Sequence, residues 1–413
     1  MKILQINTSD IQGGAARAAY RIHKGLQTIG IQSQMLVQSK KSDDKSIIGP
    51  TNKFNKALSL LRPTLDASLV KLLGKGSKTI FSPAWLPFSP ILSQINTLSP
   101  DIVHLHWVCG GMLRPKQLKK INKPLVWTLH DMWAFTGGCH YSENCEGYKK
   151  QCGNCPQLNK NKLHDLSYSI HKRKKKAWEQ LDLTIVTPSH WLAESVRQSD
   201  LFSNRRIEVI HNGLDTDLFK PIEKSVARSI WKLPENKKLI LFGAMGAISD
   251  PRKGFDILVK ALDELDKQWA GEAECIIFGN SEPKNLPVFG FPVHYTGHLH
   301  DDVSLALLYS AADVMVVPSR QEAFGQTASE SMSCGTPVVA FGATGLLDIV
   351  EHKQNGYLAQ PYDSDDLAKS IEWVLADEER HKQLCYAARK KAVANFDLKK
   401  VAKQYADLYQ SLL

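Results

Sequence analysis

The chain has 413 residues, of which 43% are hydrophobic and 23% charged, a composition typical of a globular protein long enough for two domains of about 200 residues each. It contains no run of about 20 apolar residues, which argues against a membrane-spanning helix. Its first residues, MKILQINTSD, lack the apolar core of a signal sequence and are typical of a strand, so we expect no export.

The net charge of +10 is distributed unevenly along the chain. Residues 1–215 carry 30 Lys and Arg against 15 Asp and Glu, whereas residues 216–413 carry 22 against 27, which gives +15 and −5. Such asymmetry predicts an anionic partner for the first part. Nucleic acid is not expected, because there is no zinc-finger spacing, RNA-binding signature or basic helix interleaved with aromatic residues. An anionic membrane surface fits the charge better.

A strand at 2–7 is followed by Gly13 and Gly14 and then by a helical segment at 15–28. The two glycines allow a flexible turn, and the amide groups at the beginning of the helix could meet a phosphate or a sugar. A plain tight turn between strand and helix explains the same residues equally well.

Residues 50–95 interrupt the alternation of strands and helices. Apolar residues recur there every three or four positions with basic residues between them, which is typical of an amphipathic helix with a basic polar face. The apolar series is Phe54, Leu58, Leu61, Leu65, Leu69 and Leu72, and the basic series is Lys53, Lys56, Arg62, Lys71 and Lys75. Pro63 argues against one unbroken helix. The segment could pack on the core of its domain or contact a membrane.

Strands are predicted at 101–107 and 125–129, and the second delivers His130, Asp131 and Trp133 to its carboxyl end. In open α/β sheets, ligands bind at this edge. A histidine in such a position can hydrogen-bond a sugar hydroxyl or a phosphate, although a lone histidine is more often structural.

Four of the eight cysteines lie close together in the sequence, at Cys139, Cys145, Cys152 and Cys155. Four thiolates suit a structural zinc ion that ties down a long loop. Reduced thiols and disulfides are the alternatives, and a chain without a signal sequence favours the reduced state over disulfides.

A helix predicted at 165–181 contains the run HKRKKK at 171–176. A solvated face is the ordinary interpretation of such a run, and contact with lipid headgroups is the alternative. Strands at 183–187 and 206–210 complete the first predicted sheet.

The alternation of strands and helices begins again at 238–243, and the following loop leads to Arg252 and Lys253 at the start of a helix. Two adjacent cations at that place are well suited to neutralise a diphosphate, although a charged surface turn would have the same sequence. Strands at 275–278 and 293–296 follow, and Gly297 opens the loop after the second of them. A helix at 303–311 precedes the next strand.

The stretch 313–340 combines a strand, a loop and a helix around two carboxylates. A β-branched run at 314–317 stops at Pro318, and a helical segment at 326–334 follows. Glu322 in the loop and Glu330 in the helix could flank one cavity, while Gly325 and the amide of Gln326 could approach a phosphate. A surface loop and a helix with two solvated glutamates is the alternative for any isolated pair.

The order of these residues resembles the Glu-x7-Glu signature of the retaining family 4 glycosyltransferases, E-x-F-G-x-x-x-x-E-A-M-A-x-G-x-P-V-V. The chain keeps Glu322, Phe324, Gly325, Glu330, Met332, Gly335, Pro337, Val338 and Val339, with Ser331 and Ser333 in place of two alanines. The string HDMWAFTGGCHY at 130–141 resembles a subgroup assigned to bacterial exopolysaccharide and lipid-linked saccharide assembly. HNGLD at 211–215 resembles the interdomain motif of the family, which puts the boundary near 215–221.

The resemblance implies an α/β fold of the GT-B type, with two Rossmann-like domains that face each other across a deep cleft. The domains would be 1–215, on the acceptor side, and 216–395, which binds the nucleotide sugar. A helix at 396–413 would cross back onto the first domain.

The resemblance also implies roles for individual residues. Glu322 and His130 would orient the donor sugar, and Glu330 would bind the ribose hydroxyls. The diphosphate would be held by Lys253 and by Arg252, a plausible replacement for the arginine that the family has where this chain has Ala244. The other expected donor contacts are the backbones of Gly325 and Gln326, the glycine loop Gly13–Gly14, and Gly297. The acceptor side would be shaped by Asp131, Trp133, Thr136 and Gly137.

The implied reaction is transfer of a sugar, with retention of anomeric configuration, from a nucleotide diphosphate sugar to a saccharide acceptor. The acceptor would be lipid-linked and the product a bacterial surface polysaccharide, made without a catalytic metal in the cytoplasm or at the inner face of the cell membrane. A non-catalytic saccharide- or lipid-binding protein is the alternative. A dinucleotide oxidoreductase is not expected, because no G-x-G-x-x-G follows a predicted strand.

Overall fold

Short runs rich in apolar residues form the strands of this protein, and both sheets that they build are parallel. The computed structural model describes residues 1–74, 79–87, 89–158, 162–282 and 290–413. The chain divides into two units, one made of Met1–His211 with Val401–Leu413 and the other of Asn212–Lys400. The predicted pair of Rossmann-like α/β sheets is confirmed.

The first unit contains a seven-stranded sheet with helices on its faces. Its strands are β1 (Lys2–Ser9), β2 (Gln32–Ser39), β3 (Ile47–Ile48), β4 (Ile102–Leu105), β5 (Leu125–Thr128), β6 (Leu183–Thr187) and β7 (Arg206–Val209). Its helices are α1 (Gly14–Thr28), α2 (Lys53–Gly74), α3 (Ile91–Leu98), α4 (Pro115–Leu118), α5 (Leu166–Trp178) and α6 (His190–Arg197). The strand order is β3-β2-β1-β4-β5-β6-β7, so the chain reverses its direction of travel between β1 and β4.

Helix α2 differs from its prediction in two respects. It continues through Pro63, so the expected break is wrong. The buried Arg62 beside the proline donates to the Gly111 carbonyl at 2.8 Å, which anchors this turn of the helix. The buried side of the helix holds Arg62, Asp66 and Val70, whereas Leu61 of the predicted apolar series is exposed. Asp66 accepts hydrogen bonds from the amides of residues 84 and 85, so polar side chains of α2 satisfy buried backbone groups.

Several apolar residues of α2 nevertheless face outward. Phe54, Leu61, Leu65 and Leu72 are exposed, with fractions of 76%, 57%, 46% and 79%. The exposed lysines at 53, 56 and 71 lie on the same helix, whereas Lys75 is outside the described residues. No described helix has the length and apolarity needed to cross a bilayer.

The basic run of α5 is not one solvated face. Lys174 is fully buried, its Nζ donates to the Thr136 carbonyl at 3.1 Å and to the Trp133 carbonyl, and it lies 3.7 Å from the centroid of the Trp133 ring. Burial lowers the pKa of Lys174 to about 7. His171 is buried as well, so the prediction of a solvated face holds only for the exposed lysines of the run.

The second unit contains a six-stranded sheet of order β10-β9-β8-β11-β12-β13. These strands are β8 (Lys238–Gly243), β9 (Ala273–Phe278), β10 (Val293–Gly297), β11 (Val314–Val317), β12 (Val338–Phe341) and β13 (Gly356–Ala359). The helices are α7 (Lys224–Trp231), α8 (Phe255–Trp269), α9 (Asp302–Ala311), α10 (Gln326–Ser333), α11 (Ser364–Leu375) and α12 (Glu378–Asn395).

Both faces of the second sheet are buried. Along β11, Val314 and Val316 pack into one apolar cluster, and Met315 and Val317 pack into the cluster on the other face. This explains why the strand reads as a continuous apolar run rather than as an alternating one.

The last helix, α13 (Leu398–Gln410), returns to the first unit from Val401 onward, so the predicted crossing is confirmed. Its Tyr405 and Tyr409 are fully buried against the core of the first sheet. The Tyr409 hydroxyl hydrogen-bonds His104 Nδ1 at 2.7 Å, and the Tyr405 hydroxyl lies 2.9 Å from Thr128 Oγ1.

Candidate functional site

The carboxyl edge of the second sheet has a topological switch point between β8 and β11. The chain continues from β8 to β9 on one side, whereas β11 lies on the other side of β8. The loops 244–254 and 318–325 leave these two strands at neighbouring positions. Ligands of open α/β sheets bind at such a point.

Lys253 and Glu322 meet at this edge, one from each loop. Lys253 Nζ lies 2.5 Å from Glu322 Oε1, and both side chains are largely buried. Ser319 donates its hydroxyl to the same carboxylate oxygen at 3.0 Å, and the Glu322 amide donates to Thr344 Oγ1 at 3.2 Å. An ammonium group and a carboxylate are thus held side by side with little freedom to move.

The backbones of the two loops are in direct contact. Gly254 has φ +70°, and a Cβ atom on it would lie 1.9 Å from the Pro318 carbonyl oxygen. The Arg320 amide donates to the Arg252 carbonyl at 2.7 Å, and the guanidinium of Arg320 makes two hydrogen bonds to Asp256, of 2.9 and 2.7 Å. The position of Lys253 is therefore set by contacts on both sides of it.

Arg252 and Lys253 do not pair with the same carboxylate. Arg252 forms an ion pair with Asp250, whose carboxylate also accepts from the Arg252 amide at 3.0 Å. The structure thus brings together Lys253 and Glu322 among the predicted catalytic residues, and it gives Arg252 a partner within its own turn.

Helix α10 begins beside Glu322 in the sequence and has an amino end suited to an anion. It starts at Gln326 after Gly325, whose φ is +113°, and it has neither a side-chain cap nor an acidic residue in its first turn. The partial positive charge of the helix end is therefore not neutralised by a local carboxylate. Glu330, further along α10, is buried and accepts a hydrogen bond from the Tyr309 hydroxyl at 2.9 Å. Gly297 ends β10, the edge strand of this sheet, with φ +70°.

In the first unit, Gly13 and Gly14 follow β1 at the other switch point, between β1 and β4. Gly13 has φ +99° and precedes α1, which begins at Gly14 without a side-chain cap. No atom lies within 4 Å of a Cβ built on Gly13, so nothing in the described chain crowds this turn. The positive φ explains the glycine at this place.

His130 and Asp131 follow β5 and belong to a network of buried polar side chains. His130 Nε2 lies 3.0 Å from His106 Nδ1. Asp131 is 2.6 Å from His140 Nδ1, and it accepts from the Trp107 indole at 2.8 Å. Burial pushes the pKa of Asp131 upward, but His140 and the hydrogen bonds together hold it below its ordinary value. A small cavity lined by His106, His130 and Asp131, among others, borders this network.

Three residues expected on the acceptor side are buried inside the first unit. The Trp133 indole donates to the Ser82 carbonyl at 2.7 Å, and the Thr136 hydroxyl donates to the Cys139 carbonyl at 2.6 Å. A Cβ on Gly137 would lie 2.5 Å from the Ser167 carbonyl oxygen. Any influence of these three on an acceptor would be indirect, through Asp131 and its surroundings.

The four clustered cysteines line one cavity of the first unit. All eight cysteines are free thiols, and the Gly137 amide donates to Cys152 Sγ at 3.1 Å. Burial raises the pKa of Cys152 to about 12. Within the described part of the chain, no three His, Cys, Asp or Glu side chains are already arranged as metal ligands. Zinc at these cysteines therefore stays a prediction.

Several residues of these two sites were not identified in the sequence. In the second unit they are Ser319 and Thr344, which hold Glu322, and in the first they are Gln5, His106 and His140. The spacing of His104 and His106 could have indicated the network, because alternate residues of a strand point to one face.

The sequence of this protein matches two protein-family models. The model described as Glycosyltransferase Family 4 matches residues 12–218, half of the chain, and the model described as Glycosyl transferases group 1 matches residues 224–391. The chain is 26% identical over 338 residues to the uncharacterised glycosyltransferase MJ1607 of Methanocaldococcus jannaschii. This match covers 75% of this chain and 82% of the relative. Several further relatives are matched over about half of their length.

Two solved structures show the same fold. One is HepE of Anabaena in complex with UDP and glucose, with a TM-score of 0.67, 19% identity and full coverage of both chains. The other is WaaG, a glycosyltransferase involved in lipopolysaccharide biosynthesis, with a TM-score of 0.65, 17% identity and coverage of 98% of this chain and 99% of the other. The two parallel sheets with flanking helices thus match the GT-B architecture. With its family models and relatives, this chain belongs to glycosyltransferase family 4 and is a glycosyltransferase.

Proposed function

We propose that this glycosyltransferase transfers a sugar from a nucleotide diphosphate sugar to a saccharide acceptor with retention of anomeric configuration. The observation that carries the proposal is the Lys253–Glu322 pair at the switch point of the second sheet. A diphosphate needs a fixed cation and a sugar needs a fixed acceptor of hydroxyl protons, and this pair supplies both within one hydrogen-bond length. The UDP in the HepE complex supports UDP as the nucleotide.

In this proposal Lys253 and the amino end of α10 bind the diphosphate. The three protons of the Lys253 ammonium group allow it to keep Glu322 as a partner while it donates to a phosphate oxygen. The amides at Gly325 and Gln326 would donate to the same group, and no acidic residue in the first turn of α10 would repel it. Both interactions strengthen as negative charge grows on the leaving phosphate.

The sugar and the ribose would be fixed by carboxylates. Glu322, held by Ser319 and Lys253, would accept hydrogen bonds from hydroxyl groups of the sugar, together with His130. Glu330, oriented by Tyr309, would accept from the ribose hydroxyls. Arg252, paired with Asp250, would contribute positive charge near the diphosphate without a direct role in the chemical step.

Retention of configuration would follow from displacement on one face of the sugar. The bond between the anomeric carbon and the phosphate oxygen breaks, and its electron pair stays on the phosphate. The acceptor hydroxyl forms the new bond on the same face, and its proton passes to the departing phosphate oxygen. Isolation of a covalent glycosyl-enzyme would rule out this route.

The acceptor is proposed to be a lipid-linked saccharide at an anionic membrane surface, on the cytoplasmic side. The charge of +15 on residues 1–215 and the exposed apolar face of α2, with its lysines, would suit a surface of anionic lipid headgroups. The role of WaaG in lipopolysaccharide biosynthesis supports a surface polysaccharide as the product.

The test is nucleotide binding and turnover by the full chain and by variants of the pair. Melting of the purified protein is followed with UDP, GDP, ADP and their sugar conjugates. A ligand at about 100 times its Kd stabilises the folded state by about 2.7 kcal/mol, which raises the melting temperature measurably. We expect this shift for a UDP sugar, its loss in Lys253→Ala, and a kcat lower by roughly 10²–10³ in Glu322→Gln.

Lys224→Ala is the matched control for these variants. Lys224 also pairs with a carboxylate in the second unit, Asp313 at 2.7 Å, but Asp313 directly precedes β11 and so lies at the opposite edge of the sheet. This control should keep both binding and turnover. Binding of a nucleotide sugar without any transfer or hydrolysis would favour a non-catalytic saccharide-binding protein instead, and an absence of nucleotide binding would refute the proposal.

A further inference from the structure

The rings of His130 and His106 and the amide of Gln5 form a row that runs from the carboxyl edge of the first sheet into its interior. His130 Nε2 and His106 Nδ1 are 3.0 Å apart, and the two rings lie within 22° of parallel. The other ring nitrogen of His106 is hydrogen-bonded to Gln5 Oε1. His106 and Gln5 are buried, whereas His130 is partly exposed and borders a cavity.

The direction of each hydrogen bond in this row follows from Gln5. Its carbonyl oxygen can only accept, so the proton of the neutral His106 ring lies on Nε2, and His106 Nδ1 must accept. His130 Nε2–H therefore donates to it. The amide nitrogen of Gln5 is buried and has no hydrogen-bond partner among the described residues.

Burial keeps the row neutral. It lowers the pKa of His130 to about 4 and the pKa of His106 well below its ordinary value. At neutral pH, His130 therefore carries one proton, and the row assigns it to Nε2. The remaining nitrogen, Nδ1, is a hydrogen-bond acceptor.

We infer that Gln5 and His106 are positioning residues that hold His130 in the tautomer with a free Nδ1 lone pair, so that this ring accepts a hydrogen bond from a hydroxyl group of the sugar substrate. The sugar contact rests on the proposed function, whereas the tautomer is a property of the protein alone. The site should therefore prefer a sugar that carries this hydroxyl group over the corresponding deoxy sugar, which lacks the hydrogen-bond donor.

A histidine that only packs in the core would not need a row of hydrogen bonds that leads to the edge of the sheet. His104, two residues earlier on β4, is just as buried and has both nitrogens bonded, to Thr128 at 2.8 Å and to Tyr409 at 2.7 Å. The His104 ring packs against the His106 ring, with centroids 4.2 Å apart, but among the described contacts it forms no hydrogen bond to His106 or His130. His104→Leu is therefore the control for packing around His106, because it changes that packing and the stability of the unit while the hydrogen bonds that set the tautomer of His130 are kept.

The first experiment determines the tautomer of His130 in the full chain without any ligand. Histidine-selective 15N labelling and two-bond 1H–15N correlation spectra show which ring nitrogen carries the proton, and His130→Asn identifies the signal. We expect protonated Nε2 in the unchanged protein and in His104→Leu, and a mixture of both tautomers in His106→Leu. In His106→Asn the side-chain oxygen takes the place of Nδ1, so the single tautomer should be kept.

If a variant does not fold, the tautomer of His130 in the unchanged protein still provides the test. A proton on His130 Nδ1 would overturn it, and so would an unaltered single tautomer in a folded His106→Leu.

The second experiment measures transfer or hydrolysis of UDP-glucose by the same variants. Loss of one hydrogen bond to a sugar hydroxyl should raise KM or lower kcat roughly tenfold in His106→Leu, with rescue in His106→Asn and little change in His104→Leu. Equal losses in His106→Leu and His104→Leu would overturn the positioning role. If neither the unchanged protein nor any variant binds or turns over a nucleotide sugar, the proposed function is refuted. The tautomer of His130 is measured without a ligand and is tested independently of that result.

Discussion

Replacement of Gly254 by alanine would test whether backbone contact between two loops fixes the position of Lys253. Gly254 has φ +70° and ψ 27°, and its added Cβ would lie 1.9 Å from the Pro318 carbonyl oxygen. Since ordinary contacts begin at 3.4 Å, the loop after β11 or the start of α8 must move by more than one ångström. The movement would separate the two loops that carry Lys253 and Glu322.

The expected loss of stability has two parts. An alanine in the left-handed region costs about 1–2 kcal/mol. The steric overlap adds about 1–3 kcal/mol, the usual cost of an overpacked site. Gly271→Ala is the matched control, because Gly271 in the same unit has φ +75° and no atom within 4 Å of its added Cβ. It should show the first part alone.

Urea unfolding of the full chain measures both variants, and hydrogen exchange of β8 and β11 reports the local effect in the second unit. We expect Gly254→Ala to lose about 1–3 kcal/mol more than Gly271→Ala and to show faster exchange at the ends of both strands. Equal losses in the two variants, with unchanged exchange, would refute the close contact and the reasoning built on it.

Three further predictions concern the first unit. Burial lowers the pKa of His23 to about 4, so the contribution of this residue to stability should be complete above pH 6.5 and fall by about 1.4 kcal/mol per pH unit between pH 6.5 and pH 4, in addition to the decline caused by the other buried histidines. Chemical unfolding across this range should show a shallower decline in His23→Gln, and an unchanged decline would contradict the assignment. Phosphatidylglycerol vesicles should sediment with the unchanged protein and with less of the double variant Phe54→Ser/Leu72→Ser. The control Ile230→Ser, at an exposed apolar residue of α7, should bind as the unchanged protein does. Equal binding of the unchanged protein, the double variant and the control would refute a role for α2. Metal analysis of the purified chain should find one zinc ion that Cys152→Ser loses, and a folded chain without zinc would contradict the prediction.

The carboxyl edge of the second sheet was largely predictable from the sequence. The β-branched run at 314–317 became β11 at the predicted bounds, because a strand buried on both faces reads as a continuous apolar run. Gly325 and Gln326 lie at the start of α10 as expected, since glycine supplies the positive φ of that position. Lys253 and Glu322, 69 residues apart in the sequence, meet because their loops leave neighbouring strands.

The first unit was less predictable, because its buried polar groups satisfy one another. Periodicity assigned Arg62 to solvent, yet it lies inside, where it bonds a loop carbonyl. Lys174, within a basic run, is held by two carbonyls and an aromatic ring that no local pattern reveals. His106 and Gln5 are 101 residues apart, so only the pairing of β1 with β4 brings them together.

The packing of α13 has a consequence for the order in which the chain can fold. Tyr405 and Tyr409 complete the interior of a sheet whose strands all precede residue 212, so the first unit cannot be completed until the whole second unit has been translated. The second unit is an insertion within the first, and it can close its own interior early. We therefore expect nascent chains to pass through a stage in which the strands of the first sheet are present but the surface that α13 covers is still exposed, so that chaperones can bind it.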